Sequence, residues 1–196
     1  MGAIYIPKSK KKAQNEKAII VYQDEASFRL TPTLHQTWAP LNSQPQVPTK
    51  GQRNTQKVLG AVSLFENKFE YRHQTDYFNA ITYISFLEDI ILPAFYKRNR
   101  RVYLIQDNAS YHKKQEVFDW YKSNRGKVEV FLLPSYSPEF NAIERIWQYT
   151  RKHATHNRYF DSAEDLCQAL FRTFSDIQKY PQNISGLLRP FAYADS

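Results

Sequence analysis

Three acidic residues lie at positions where α/β proteins commonly place ligand-binding or catalytic side chains. Asp24 follows an apolar run that begins at Ala18, Asp107 follows a second run that ends at Gln106, and Glu144 lies at the start of a helical pattern. Ligands collect beyond the carboxyl ends of the strands in α/β proteins, so carboxylates at these boundaries can share one site. The sequence predicts that the three acids together hold divalent metal.

Carboxylates at such a site suit Mg²⁺ or Mn²⁺. Magnesium takes hard oxygen ligands in octahedral geometry and keeps several waters, so two or three carboxylates suffice. Without a cation, each pair of carboxylates within about 4 Å would repel by about 4 kcal/mol at an effective dielectric near 20. Two ions roughly 4 Å apart can activate a water or a 3′-hydroxyl and stabilise the attacking and leaving oxygens of an in-line displacement. We therefore expect two Mg²⁺ or Mn²⁺ ions and a phosphodiester substrate.

Each acid also has a purely structural explanation. Aspartates favour turns, so a strand that ends on one is unremarkable by itself. The pattern Asn141-x-x-Glu144 fits a capping box, in which the glutamate satisfies a backbone donor at the helix start. Two neighbouring acids rank lower as ligands. Glu25 should point to the opposite side of its strand from Asp24, and Glu139 lies in the loop before Glu144.

The elements that must position these acids alternate in type along the chain. Strands are predicted at 18–23, 56–65, 68–74, 101–106 and 128–133, and helices at 79–96, 113–123, 141–155 and after a cap at Asp161 or Ser162. Short links imply antiparallel neighbours, and intervening helices imply right-handed parallel crossovers. The predicted fold class is α/β, ribonuclease-H-like, with a mixed five-stranded sheet of three antiparallel and two parallel strands flanked by helices. Asp24 and Asp107 can meet only if the first and fourth strands are neighbours.

Size and composition indicate one globular domain. The 196 residues predict a basic flexible lead-in at 1–17 and a single catalytic domain at 18–196. No apolar run approaches the roughly 20 residues that span a bilayer, and the lysine-rich start lacks the apolar core of a signal peptide. The single cysteine, Cys167, excludes an intramolecular disulfide and suits a reducing cytoplasm.

The formal net charge of +8 favours a polyanionic partner such as nucleic acid. A nuclease needs both cationic walls for phosphates and carboxylates for metals, and this chain offers both. The helix that starts near Glu144 carries Arg145, Gln148, Arg151 and Lys152, which we expect to contact DNA phosphates. Its opposite face, with Ile143, Trp147, Thr150 and Ala154, should pack on the sheet, while Thr155 falls on the polar face.

The long segment after the first strand is a second candidate DNA surface. Lys50, Arg53 and Trp38 lie in it among several prolines, which favour loop over strand. Trp38 has two interpretations, since it could touch a flipped base or pack in the core.

Three motifs in order resemble those of the mariner-type and related bacterial insertion-sequence transposases, which are DDE endonucleases with a ribonuclease-H-like core. They are Asp24-Glu25, Asp107-Asn108-Ala109-x-x-His112, and Tyr136-Ser137-Pro138-Glu139-x-Asn141-x-Ile143-Glu144 with Trp147. The similarity runs from about residue 18 to about residue 177, and the 36 residues between Asp107 and Glu144 are close to the spacing in that family.

The resemblance implies roles for particular residues. Asp24, Asp107 and Glu144 would be the metal-binding catalytic acids, and Asn108, His112 and Asn141 would support them. The chain departs from the family pattern at two positions, which are Ala142 in place of the usual proline and Gln106 in place of an aliphatic residue.

The function that the resemblance implies is that of a DNA transposase catalytic domain, cleaving at transposon ends and joining the 3′-OH ends to target DNA. It also implies a homodimer in the DNA complex, bound in the bacterial nucleoid. The related enzymes carry a separate N-terminal helix-turn-helix region, which we expect to be missing here or encoded elsewhere, since no room exists before Ala18. Alternatives are a ribonuclease H, a resolvase, or a cleavage-inactive DNA-binding protein derived from a transposon. A glycosidase is disfavoured, because basic charge gives a neutral sugar no advantage.

Overall fold

Five strands form one mixed sheet in the order β3-β2-β1-β4-β5. The computed structural model describes residues 6–48, 54–75, 77–135 and 137–192. The strands are β1 (Ile19–Arg29), β2 (Thr55–Ser63), β3 (Phe69–Gln74), β4 (Val102–Gln106) and β5 (Val128–Leu132). The pairs β1–β2 and β2–β3 are antiparallel, whereas β1–β4 and β4–β5 are parallel. The expected adjacency of the first and fourth strands is therefore confirmed.

Helices and helical turns connect and cover the strands. They are α1 (Ile6–Asn15), α2 (Ala80–Phe86) continuing through a π-helical turn (Leu87–Ile91) into α3 (Leu92–Phe95), a 3₁₀ turn (Ser110–Lys113), α4 (Gln115–Ser123), a 3₁₀ turn (Pro138–Phe140), α5 (Glu144–Thr150) continuing into a π-helical turn (Arg151–Thr155), α6 (Ala163–Lys179) and α7 (Pro181–Ala192). Within the described part of the chain, none of the helices combines the length and apolarity needed to cross a bilayer.

Strand β1 is longer than the sequence predicted, and Asp24 lies inside it rather than at its end. Its parallel ladder with β4 ends at the pair Tyr22–Ile105, but its antiparallel ladder with β2 continues to Arg29. The strand persists because β2 supplies backbone partners beyond the point where β4 stops. Asp24 is therefore fixed in a regular ladder at the place where the neighbouring parallel strand ends.

The sheet is covered on both faces, as its alternating side chains require. Ile20 and Tyr22 of β1 belong to the core formed with α5, α6 and α7. Ile19 and Val21 belong to a second core on the other face, formed with α2, α3 and α4. Asp24, at an even position, therefore belongs to the face covered by α5.

Two helix starts follow the predicted capping chemistry. Asn79 caps α2 and exchanges side-chain and backbone hydrogen bonds with Thr82. Ser162 caps α6 and exchanges the same bonds with Asp165, which decides between the two predicted caps. Leu166, Leu170 and Phe174 lie at helical spacing along α6 and are buried, so they form its inner face.

Both ends of the described chain contain helices that the sequence did not predict. In the segment expected to be flexible, α1 packs against β1 and buries Ala13, and Lys12 pairs with Glu129 of β5 at 2.5 Å. Lys11 and Lys12 of this helix are exposed, whereas Lys10 and Ala13 are buried. The domain boundary after residue 17 stays a prediction. At the other end, α7 buries Ile184 and Leu188.

Candidate metal centre

A cleft of about 460 Å³ opens beyond the carboxyl ends of β4 and β5. Its walls include all three predicted acids, Asp24, Asp107 and Glu144. Asn108 and Asn141, two of the three residues given supporting roles, also line it. The structure thus brings together residues from β1, the turn after β4 and the start of α5. Their catalytic role stays a prediction.

The carboxyl group of Asp24 is destabilised in its charged form. Burial, followed by the negative charges of Glu25, Glu144 and Asp107, raises the pKa of Asp24 to about 8, although a backbone hydrogen bond opposes the shift. A carboxyl group in this setting keeps its proton near neutral pH unless a cation compensates the charge. The charge of Glu144 contributes to this rise in the pKa of Asp24, but less than the charge of Glu25 does.

Asp107 is half-exposed at the mouth of the cleft and held by local contacts. Its carboxylate accepts a hydrogen bond from the backbone N–H of Ala109 at 3.0 Å, and Nδ1 of His112 lies 3.5 Å from it. Burial and the charge of Glu25 raise the pKa of Asp107, while the Ala109 bond and His112 oppose the rise. The turn after β4 therefore fixes the orientation of this carboxylate.

Glu25, and not Glu144, is the third member of the closest carboxylate cluster, a difference from the predicted set of Asp24, Asp107 and Glu144. One carboxylate oxygen from each of Asp24, Glu25 and Asp107 lies within 4.8 Å of the others, an arrangement that could hold a metal ion. Glu25 contacts Tyr111, which packs on the core opposite α5, as the alternation of β1 predicted. The three carboxylates nevertheless converge just beyond the end of the β1–β4 ladder.

The carboxylate of Glu25 is stabilised by a dense set of partners. It accepts hydrogen bonds from Tyr111 and from Nε2 of Gln23, and Nε2 of the buried His112 lies 3.8 Å away. Burial alone would raise the pKa of Glu25, but the nearby His112 and the hydrogen bonds from Tyr111 and Gln23 outweigh it, so the pKa is lowered. His112 therefore bridges Glu25 and Asp107, which suits the supporting role predicted for it.

Glu144 does not form the capping box with Asn141 that its sequence pattern allows. The first residue of α5 is Glu144 itself, and no side chain caps this helix, so the predicted Asn141–Glu144 capping box is absent. The backbone N–H of Glu144 instead bonds to the carbonyl of Asn141 at 3.0 Å. Its carboxylate lies 3.9 Å from Arg151, about two turns along the helix. Ala142, where the family pattern has proline, is fully buried and does not prevent the turn.

Two buried amide oxygens near the acids lack partners among the described residues. Oδ1 of Asn108 and Oδ1 of Asn141 are both buried without a hydrogen bond, and both residues line the cleft. Buried polar atoms are normally satisfied, so an orphaned pair beside carboxylates indicates that a ligand or its waters complete the site. Carboxylate and amide oxygens are the donors that Mg²⁺ and Mn²⁺ accept, so the residues present fit such an ion.

The glutamine that precedes Asp107 is part of a buried hydrogen-bond network. Gln106 is fully buried, its Oε1 accepts a bond from the Tyr83 hydroxyl, and its Nε2 donates to the Tyr121 hydroxyl at 3.2 Å. The two hydroxyls lie 2.9 Å apart. Gln106 stands where the family pattern has an aliphatic residue, and the hydroxyls of Tyr83 on α2 and Tyr121 on α4 satisfy its buried amide.

Replacing Gln106 by leucine is expected to lower the free energy of unfolding by about 1–3 kcal/mol, because it leaves buried hydroxyl capacity unsatisfied. Urea denaturation of the variant measures this loss. The triple variant that also carries Tyr83→Phe and Tyr121→Phe should regain much of it, since no polar group then remains unpaired. Equal stability of Gln106→Leu and the original chain would contradict the network.

The predicted DNA-contacting face of α5 is only partly as expected. Arg145, Gln148 and Lys152 are exposed, whereas Arg151 is half-buried with its guanidinium over the Phe28 ring at 5.6 Å. The opposite face is confirmed as the packing face, with every predicted member buried: Ile143, Trp147, Thr150 and Ala154.

Thr155 is buried, so its predicted place on the polar face is wrong. The chain changes from an α-helix to a π-helical turn after Thr150. A π-helical turn advances the side chains by a smaller angle than the α-helix does, and this rotates the later residues out of the predicted face.

Of the candidate contacts in the loop after β1, one can be located. Trp38 is fully exposed within residues 31–48, which contain no strand or helix apart from a single bridge at Thr33, so the core interpretation is wrong. Lys50 and Arg53 lie outside the described residues.

A sequence model of the DDE superfamily endonuclease family matches residues 19–167. The chain is 29% identical over 170 residues to the insertion element IS630 uncharacterized 39 kDa protein of Shigella sonnei, covering 87% of this chain and 48% of that protein. It is 31% identical over 71 residues to the transposable element Tcb2 transposase of Caenorhabditis briggsae, covering 33% of this chain and 25% of that one. The chain thus spans about half the length of the IS630 protein and a quarter of the length of the Tcb2 transposase.

Solved structures share the fold at low sequence identity. A pre-cleavage Mos1 transpososome matches with a TM-score of 0.65 at 17% identity, over 97% of this chain and 59% of that chain. The catalytic domain of Mos1 mariner transposase matches with a TM-score of 0.57 at 17% identity, over 97% of this chain and 87% of that chain. The predicted ribonuclease-H-like fold is confirmed.

Proposed function

Because the chain belongs to the DDE superfamily endonucleases, we propose that it is the catalytic domain of a metal-dependent DNA transposase. It cleaves phosphodiester bonds at transposon ends and joins the 3′-OH ends to target DNA. The observation that carries the proposal is the single cleft lined by Asp24, Asp107 and Glu144. The Tcb2 relative, described as a transposase, and the Mos1 strand transfer complex among the similar structures support it.

The acids of the cleft would hold two Mg²⁺ or Mn²⁺ ions through Asp24, Asp107 and Glu144. Mos1 complexes with Mn and with Mg are among the similar structures, which supports the same ions here. Bound there, such ions supply Lewis-acid stabilisation of charge on the phosphate and lower the pKa of the attacking water or hydroxyl.

The other residues of the cleft prepare it for that chemistry. Asp24 would hold the cation as a carboxylate, although burial and neighbouring carboxylates raise its pKa in the metal-free chain. His112, held between Glu25 and Asp107, orients the Asp107 carboxylate. The orphaned oxygens of Asn108 and Asn141 would accept hydrogen bonds from water or help to hold the cation.

The DNA would approach along the exposed face of α5. Arg145, Gln148 and Lys152 lie on the same helix as Glu144 and its π-helical continuation, so they can hold phosphates beside the cleft. The partners are the transposon ends and target DNA, with two copies of the chain holding two ends together. The proposed catalytic domain comprises residues 18–196.

Nicking of a supercoiled plasmid in Mg²⁺ or Mn²⁺ tests this assignment with two glutamates that are five residues apart. Glu144→Gln should lower the rate at least about 100-fold, since losing a metal ligand costs several kcal/mol. Glu139→Gln is the matched control, because Glu139 is exposed in the 3₁₀ turn before α5, and its rate should stay within about twofold.

The opposite pattern, with Glu139→Gln inactive and Glu144→Gln active, would contradict the assignment. An RNA–DNA hybrid offered beside duplex DNA distinguishes the nucleases of this fold. Preferential cleavage of the RNA strand would replace the transposase proposal by a ribonuclease H function. Absence of nicking in every condition, with Mg²⁺ bound, would favour the cleavage-inactive DNA-binding protein.

A further inference from the structure

A second cavity, of about 740 Å³, lies at the opposite end of the sheet from the acidic cleft. It is formed by the end of α1, the start of β1, Phe65 after β2, and the turn that joins α3 to β4. Residues 97–100 precede β4, whereas Asp107 follows it. The two sites are therefore separated by at least the length of this five-residue strand, about 17 Å.

Three cationic side chains lie on the rim of this cavity. Lys17, Lys97 and Arg98 line it and are exposed, and within the described residues no carboxylate forms an ion pair with them. Arg100 is different, because its guanidinium pairs with Glu66 and donates to the carbonyl of Lys17 at 3.2 Å. Arg100 therefore fixes the shape of the rim, and the other three leave it with net positive charge.

The interior of the cavity is apolar and includes an exposed aromatic ring. Ala13 and Ile20 are buried at its floor, and Phe65 is 52% exposed at its side. An exposed phenyl group next to several cations is the combination that binds unpaired bases, with stacking on the ring and phosphates on the cations. A duplex hides the faces of its bases, and a purely anionic ligand would not use the ring.

We propose that this cavity binds single-stranded nucleic acid, with a base stacked on Phe65 and adjacent phosphates at Lys17, Lys97 and Arg98. A volume in the range of small-ligand pockets suits one or two nucleotides of a longer strand. The binding is independent of the metal chemistry of the cleft. The chain would thus have a binding site for an unpaired strand that is remote from the acidic cleft.

Fluorescence anisotropy with a labelled ten-nucleotide oligo(dT) in EDTA tests the site. Phe65→Ala should weaken binding about 5- to 100-fold, the range that corresponds to losing one stacked base. Lys97→Ala and Arg98→Ala should each reduce the slope of log Kd against log salt by about 0.7. Phe118→Ala and Lys122→Ala on α4 are matched controls, since both residues are exposed outside the cavity, and they should change neither quantity.

Melting temperatures confirm that the variants fold. Unchanged affinity in Phe65→Ala together with an unchanged salt slope in Arg98→Ala would overturn the proposal. So would equal competition by an oligoglutamate peptide, which would show anion binding without base stacking. Asp24→Asn should retain oligo(dT) binding, because Asp24 lies outside this cavity. If the original chain binds oligo(dT) through this cavity but does not cleave DNA, only the transposase proposal fails.

Discussion

Asp24→Asn is expected to abolish metal-dependent DNA cleavage and, at the same time, to stabilise the metal-free protein near pH 8. The loss of activity follows from removing a charged ligand at the cleft, which should lower the nicking rate at least about 1,000-fold. The gain in stability follows because asparagine keeps nearly the same shape without the buried charge. A residue that served only to hold the fold together would show the opposite sign in the second measurement.

The pH dependence gives this prediction its direction. The pKa of Asp24 rises from its ordinary value of 3.8 to about 8 in the folded chain, so the folded state binds the proton more tightly than the unfolded state. The contribution of this group to stability is complete below pH about 4 and is lost as the pH rises through about 8. Thermal melts in EDTA between these limits should therefore fall more steeply for the original chain than for Asp24→Asn.

The response of stability to Mg²⁺ should also distinguish the original chain from Asp24→Asn. Mg²⁺ at about 100 times its dissociation constant should add roughly 2.7 kcal/mol to the stability of the original chain and little to that of Asp24→Asn. Asp176→Asn, an exposed aspartate on α6, is the control and should retain both cleavage and the metal response. Parallel pH profiles for the original chain and Asp24→Asn would contradict the account of this carboxyl group.

Gly60→Ala is expected to have the largest effect of any small substitution on the fold. Gly60 pairs with Asp24 across β1 and β2. A Cβ at this position would lie 2.4 Å from Cη2 and 2.7 Å from Cζ2 of Trp147, whose ring is fully buried. Overpacking of this kind costs about 1–3 kcal/mol. Because Trp147 belongs to the same helix as Glu144, the displacement should also lower cleavage at least about tenfold.

A double-mutant cycle with Trp147→Phe measures this contact. The smaller ring should relieve part of the clash, giving a coupling energy of about 0.5–3 kcal/mol between the two positions. Gly126→Ala is the control, because a Cβ there has nothing within 4 Å, and it should leave urea stability and cleavage almost unchanged. If Gly60→Ala were as stable and active as Gly126→Ala, the packing of α5 would not set the position of Glu144.

The sequence predicted the convergence of the acids through the fold class. Runs of apolar residues identified the strands, and in the predicted ribonuclease-H-like arrangement the first and fourth strands are neighbours, as β1 and β4 are. Once they are neighbours, Asp24 and Asp107 must lie at the same edge of the sheet. Glu144 followed from the helix start after the next parallel strand.

The parts that the sequence could not predict depend on long-range partners. The extension of β1 past Asp24 depends on pairing with β2, and the polarity of Gln106 depends on Tyr83 and Tyr121, which lie 23 and 15 residues away. The approach of Glu25 to the cluster depends on side-chain reach at the point where β4 stops. The signal for it was available in the adjacent pair Asp24-Glu25, but alternation along a strand argued against it.

The metal-binding role of the three acids can be tested by anomalous diffraction from crystals grown with Mn²⁺ and a DNA duplex. A manganese peak is expected in the cleft, roughly 2 Å from carboxylate oxygens of Asp24 and Asp107, with Glu144 bound to the same or a neighbouring ion. A peak coordinated by Glu25 while Glu144 stays unbound, or occupied manganese sites only outside the cleft, would contradict it.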